Sequence, residues 1–267
     1  MIRLTATRPV AVITGAASGL GLDLARSLSS SHQLILLDVN ESGLQSAVQE
    51  LEDAHYVQCD LTDNAGLTRT IALIKSMTPR VDLLINNAGI THRSLARITT
   101  SEVIERVMQI NYFAPVRLTQ GLLSLLTHSA GKVVNISSMA GWMPVLGRAG
   151  YCASKSALHQ YFETFRAEMR DLNVSVLMVY PSFLDTPIEN NALAGDGGKT
   201  RHKRSVVGTV RSSQWMATNI VNAINSNKQR LFGDFFSAFS ALLYRLSPRV
   251  FLHLMRKRLA SELEVEA

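Results

Sequence analysis

Apolar residues along this chain come in short runs separated by stretches of helical spacing. Val10-Ala11-Val12-Ile13-Thr14 is the first run, and residues 32–38, 54–60, 81–86, 131–138 and 174–181 supply five more. Runs of this length, rich in β-branched residues and bounded by polar ones, predict buried strands. Between them, Leu22, Leu24, Ala25 and Leu28, and then residues 42–51, 66–77 and 102–125, place apolar side chains on one helical face. Strands alternating with helices in this way predict an α/β fold: one domain built on a doubly wound parallel sheet covered on both faces. A helix over 215–224 and a weak last strand over 229–232 complete the pattern.

The end of the chain reads differently. Phe235, Phe236, Phe239, Leu242, Leu243 and Leu246 recur at helical spacing until Pro248 breaks the run. A second segment sets Val250, Phe251, Leu254 and Met255 beside Arg249, Arg256, Lys257 and Arg258. Two parts follow: a body over residues 1–228, including a polar, glycine-rich lid at 187–212, and an amphipathic helical extension over 229–267. The extension is too short between charges for a span of roughly 20 apolar residues. It is expected to pack on the body, to form a subunit interface, or to lie on a membrane surface.

Composition narrows the class. With 267 residues and 46% hydrophobic content, the chain can bury a large core in one domain. Cys59 and Cys152 make neither a metal spacing nor a disulfide scaffold, and the histidines form no cluster, so no catalytic metal is expected. Residues 1–9 are short and polar for a signal peptide, which points to a cytoplasmic location, with membrane association through the extension as an option. The net charge of +6 collects at Lys199, Arg201, Lys203 and Arg204 and again over 245–258. No recognition-helix or single-strand motif accompanies it, so a nucleic-acid partner is not expected.

The candidate chemistry sits where the predicted strands end. Gly15-Ala16-Ala17-Ser18-Gly19-Leu20-Gly21 joins the first strand to a helix, the context in which glycines let a backbone approach a pyrophosphate at a helix N-terminus. Asp38 ends the second strand, where an acid can accept hydrogen bonds from both ribose hydroxyls and repel a 2′-phosphate. No Arg or Lys stands in the glycine loop or directly after Asp38, which favours NAD over NADP. Asp60 ends the third strand and could reach an adenine edge. Asn86-Asn87-Ala88-Gly89 ends the fourth. Asn111 lies inside a predicted helix, where asparagine is a poor former; it is either an internal hydrogen-bonding residue or a site residue. Ser137 and Ser138 end the fifth strand and point opposite ways. Tyr151 and Lys155, at i and i+4, share one helical face, and a cation beside a phenol favours the phenolate.

Taken in order, these stretches resemble the classical short-chain dehydrogenase/reductase family over about residues 8–226. Residues 14–21 look like its TGxxxGxG loop, Asn86–Gly89 is its NNAG, and Asn111, Ser138, Tyr151 and Lys155 match its catalytic tetrad. The resemblance implies a Rossmann-type sheet, a nicotinamide cofactor and a homodimer or homotetramer. It implies that Tyr151 is the general acid/base and that Lys155 tunes it and holds the nicotinamide ribose. Ser138 would steady the substrate oxygen, with Ser137 as the alternative, and Asn111 would hold a water linking Lys155 to solvent.

Cofactor contacts are implied at Gly15, Ser18, Gly19, Leu20, Gly21, Asp38, Asp60, Leu61, Asn87, Ala88, Gly89, Tyr151 and Lys155. After the sixth strand they continue at Pro181, Phe183 and Thr186. One departure is Ser182, where the family has glycine after the proline. His92, Trp142, Met143, Val145, Leu146 and Phe183 are candidate walls of the substrate pocket, though His92 is equally an ordinary loop histidine. Their apolar bulk suggests a steroid, retinoid, fatty or aromatic alcohol or ketone. A non-catalytic NAD(H)-binding regulator is the competing class.

Overall fold

A computed structural model describes residues 4, 8–188, 191–200 and 209–263. Six main strands form in the order β1 (Val10–Thr14), β2 (Gln33–Asp38), β3 (Ala54–Gln58), β4 (Leu83–Asn86), β5 (Lys132–Ile136) and β6 (Ser175–Tyr180). A short pair, β7 (Leu184–Asp185) and β8 (Arg211–Ser212), forms a sheet of its own, and β9 (Arg230–Phe232) joins the edge of the main one. The main sheet runs β3-β2-β1-β4-β5-β6-β9, all neighbours parallel. The order reverses beside β1, the switch point at which such sheets open a crevice at their strand ends.

Every residue of β1 and β4 is buried, as parallel strands covered on both faces require. One face of the sheet packs against α1 (Gly19–Leu28), α2 (Glu41–Glu50) and α8 (Ser213–Asn225), with Leu24, Leu44 and Ile220 fully buried. The other packs against α3 (Asn64–Met77), α5 (Ala114–Gly121), α6 (Leu123–His128) and α7 (Ala149–Glu168), centred on Leu118 and Phe162. Asn40 and Asp63 accept backbone N–H groups at the starts of α2 and α3, the expected role of such caps. The weak last strand is held from the side. Phe232 stacks on Tyr180 with 5.1 Å between ring centres, and the Arg230 guanidinium pairs with Glu163 of α7 at 2.6 Å.

One expectation changes, and two more meet the described residues. The single helix anticipated over 102–125 is α4 (Ser101–Met108), a π-helical turn at Gln109–Phe113, and then α5, with Asn111 inside the π turn. The lid at 187–212 falls partly outside the described residues, including Arg201, Lys203 and Arg204. Of its described residues, 191–200 lie against the segment after β4: Leu193 N–H donates to Thr91 O, Arg93 N–H to Leu193 O and Thr100 N–H to Gly195 O, and Ala192 is fully buried. The extension folds as α9 (Phe235–Leu246) and α10 (Pro248–Arg258), which pack on each other. It returns to the body, with Ala241 in the sheet's core and a Glu262 carboxylate oxygen 3.6 Å from where a side chain at Gly147 would begin.

Phe162→Ala would leave a cavity between α7 and the sheet; a loss of about 3–5 kcal/mol is expected in denaturant unfolding.

Candidate active site

The strand ends leave backbone groups that side chains must satisfy. Thr14 Oγ1, at the end of β1, accepts N–H bonds from both Asn87 and Ala88 at 3.0 Å. Asn87 returns its amide to Thr14 O at 3.0 Å and Gly15 O at 3.2 Å. This clasp ties the glycine loop to the NNAG segment. Gly15 has φ +67°, and a first side-chain carbon there would sit 2.9 Å from Ala88 Cα, so only glycine suits the place. At Gly21 such a carbon would overlap the Gly15 carbonyl oxygen. Gly19 faces the segment after β6: a carbon there would lie 3.2 Å from Pro187 and 3.6 Å from Thr186. Two walls of a cleft thus meet across the N-terminus of α1, which carries no acid in its first turn and no side-chain cap from the exposed Ser18.

Asp38 is held at the end of β2 by the N–H groups of Ala17, at 3.1 Å, and Asn40, at 3.0 Å. Asp60 is exposed, and one of its carboxylate oxygens accepts Thr62 N–H and the Thr62 hydroxyl, both at 2.8 Å. Leu61 is half-buried against the core. A crevice of about 360 Å³ beside Asp60, lined also by Val39, Asp63 and Arg69, shares no residue with the tyrosine–lysine pair.

That pair sits on α7. Lys155 is 3% exposed, and its ammonium donates to Ile136 O at 2.8 Å and stands 5.8 Å from the centre of the half-buried Tyr151 ring. Burial pushes the ammonium down to about 8, because a desolvated charge is disfavoured. A side chain at Gly89 would begin 3.6 Å from this ammonium and 3.2 Å from Asn111 Oδ1, so the NNAG segment, Asn111 and Lys155 converge. Asn111 is fully buried. Its oxygen accepts Ile90 N–H at 2.9 Å, and its amide donates to Ile90 O at 2.9 Å and Ser154 Oγ at 3.0 Å. Those bonds brace the loop after β4 against α7.

The two serines divide as strand alternation requires. Ser137 is buried, with its hydroxyl near Gly141. Ser138 is half-buried and accepts Ala140 N–H at 3.1 Å, which leaves its own O–H to donate elsewhere.

The expected pocket walls split. Trp142 turns inward, its ring 4.6 Å from His159, 5.5 Å from Tyr180 and 6.0 Å from Phe232. Met143 packs on the same core, while Val145, Leu146 and Phe183 are half-buried. His92 does not line a mouth. It is fully buried, accepting Gly150 N–H at 2.9 Å on Nε2 and meeting Ser94 Oγ at 3.1 Å on Nδ1. It therefore fixes the first turn of the helix that carries Tyr151. Thr14 and the bracing use of His92 were missed from the sequence. A threonine at a strand end beside a glycine loop was the available signal for the first; a loop histidine carries none.

Burial, then the charge of Arg148, pushes the His92 imidazole down from 6.5 to about 4. The neutral ring is the folded form, so its contribution is present above pH 6.5 and lost as pH falls through about 4. His92→Gln should flatten the stability–pH curve across that window, and His92→Ala should cost about 1–3 kcal/mol for the orphaned Gly150 N–H. Thermal melts from pH 4 to 7 check both.

A family model described as short chain dehydrogenase matches residues 9–196. Dehydrogenase/reductase SDR family member 7B of Rattus norvegicus is 34% identical over 266 residues, covering 95% of this chain and 82% of that protein. A short-chain dehydrogenase structure from Streptomyces avermitilis superposes with TM-score 0.81 at 26% identity, covering 94% of this chain and 97% of that one. Two others share the fold: one from Burkholderia phymatum in complex with NAD (TM-score 0.78, 21% identity, 91% and 95% covered) and one from Sphingobium yanoikuyae in complex with NADPH (TM-score 0.75, 24% identity, 95% of each). This chain belongs to the short-chain dehydrogenase/reductase family and is an oxidoreductase of that family.

Proposed function

We propose that the protein interconverts an apolar alcohol with its ketone or aldehyde, using NAD, with Tyr151 as general acid/base. The observation that carries this reading is the burial of Lys155. An ammonium that is 3% exposed and shifted by desolvation burdens the fold, and its position beside a phenol gives it a chemical reason.

The cleft suits a dinucleotide. Gly15, Ser18, Gly19, Leu20 and Gly21 would meet the pyrophosphate at the acid-free N-terminus of α1, and Asp38 would meet the adenosine ribose. The adenine would lie toward Asp60 and Leu61. Asn87, Ala88, Gly89, Lys155, Pro181, Phe183 and Thr186 would enclose the nicotinamide end. When bound, the nicotinamide ring supplies or accepts the hydride. The chain's own work is proton transfer and orientation. Tyr151 takes the proton of the substrate hydroxyl during oxidation and returns it during reduction. The Lys155 cation stabilises the phenolate. Ser138, its acceptor side used by Ala140 N–H, donates its O–H to the substrate oxygen as charge develops there. Asn111 acts through Ile90 and Ser154, keeping loop and helix in register.

NAD is preferred in this reading because the Asp38 carboxylate is fixed by two N–H groups and Val39, exposed beside it, offers no cation. The apolar substrate rests on Met143, Val145, Leu146 and Phe183. A homodimer or homotetramer fits the α5–α7 surface, where Phe113 is exposed under Arg117 and Tyr112 meets Tyr161 at 6.1 Å.

Initial rates should favour NAD over NADP by about 100-fold, as a like charge costing several kcal/mol implies; Asp38→Ala with Val39→Arg should reverse the order. Lys155→Met should reduce turnover about 10²–10⁴-fold without lowering the melting temperature. The Lys155 ammonium sits at about 8 against 10.5 unfolded. Wild-type stability should therefore rise as pH climbs through that window, and the Lys155→Met curve should lack that rise. Turnover of steroid, retinol, long-chain or aromatic alcohols is the direct test. NADH binding with no turnover across that panel would instead mark a dinucleotide sensor.

A further inference from the structure

The segment from Phe235 to Arg258 holds five of the chain's 27 Lys and Arg and none of its 21 Asp and Glu. It therefore supplies nearly all of the net charge of +6. The same segment exposes apolar bulk. Of 13 large apolar side chains exposed among the described residues, six (Phe239, Leu242, Leu246, Val250, Leu252 and Leu254) fall within residues 239–254. Phe239, Leu242 and Leu246 make a single stripe along α9, and Leu246 is 75% exposed. These helices keep Ala241 and Phe251 on the inside, with Tyr244 against Phe251 at 5.3 Å. Exposed beside the stripe are Arg245, Arg249, Arg256 and Lys257.

We infer that the outer face of α9–α10 docks on an anionic lipid surface. Leucine, valine and phenylalanine side chains would enter the boundary between headgroups and acyl chains while the flanking cations meet anionic headgroups. The arrangement lies on the membrane rather than through it. No helix among the described residues is long and apolar enough to cross. A second copy of the chain is the poorer occupant, because a two-fold interface sets a patch against itself. Here that would bring cations onto cations with no acid in the patch. The docked orientation has a consequence that rests on the proposed activity: α9 touches the Met139–Gly141 turn and Glu262 reaches Gly147, so the loop before Tyr151 would lie on the membrane side, where an apolar substrate is concentrated.

Co-sedimentation of the full chain with vesicles tests the docking independently of turnover. Pelleting is expected with equal parts phosphatidylcholine and phosphatidylserine, and not with phosphatidylcholine alone. Leu242→Glu with Leu246→Glu should abolish it while the circular-dichroism melt persists. Arg249→Ala, at an exposed position, should weaken it about fivefold and serves if the double variant unfolds. The inference is overturned by an absence of pelleting with the mixed vesicles, or by pelleting that both variants leave unchanged. A dimer that the double variant splits, with no lipid binding by either form, would overturn it too and assign the face to a second copy.

Discussion

Parallel strands that all end on one edge of a sheet leave a row of backbone groups there that no neighbouring strand can satisfy. Much of this molecule answers that constraint. Thr14 Oγ1 takes the N–H groups of Asn87 and Ala88, and Asn87 returns to Thr14 and Gly15. Asp38 takes Ala17, Asn111 takes both groups of Ile90, and Lys155 donates to Ile136 O. The side chains proposed for chemistry are drawn from the same set that completes the strand ends. Polar residues are needed at this edge for folding, and a dinucleotide finds them already oriented.

This overlap accounts for an unequal division of burden within the site. Lys155 lies in a desolvated position with an ammonium shifted to about 8, while His92, fully buried in the segment after β4 and set against the first turn of α7, works as a neutral acceptor for Gly150 N–H. One is a charge held against its preference; the other is a titratable group silenced to hold a helix start. Both pKa values fall for the same physical reason, burial, and the geometry around each group separates their roles.

The fold was legible wherever burial on both faces left unbroken apolar runs, so β1, β2, β4, β5 and β6 stand within a few residues of their expected bounds. The glycine loop, Asp38, the NNAG segment and the tyrosine–lysine spacing were legible as residue types at strand ends and on one helical face. Hydrogen bonds between distant segments were not. Nothing in the local pattern around His92 shows that Gly150, 58 residues on, will need its nitrogen. Asp60 was read from its strand-end position, but the bond that one of its oxygens takes from Thr62 was not. Trp142 looked like a pocket wall because it stands in a loop, but its ring is taken up by Tyr180 and Phe232 on strands that follow it.

The π turn at Gln109–Phe113 carries a consequence of its own. Such a turn holds one residue more than the α-helical turn it replaces, and each residue advances a helix by about 100°. Removing one residue there would let α4 and α5 fuse into a continuous helix. It would also swing everything on one side by that angle, taking either Asn111 away from Ile90 and Ser154 or Leu118 out of the core. Chain length at this point is thus constrained as tightly as residue identity. Among descendants of this sequence, insertions and deletions should be rarer between Met108 and Ala114 than in the exposed connections around it.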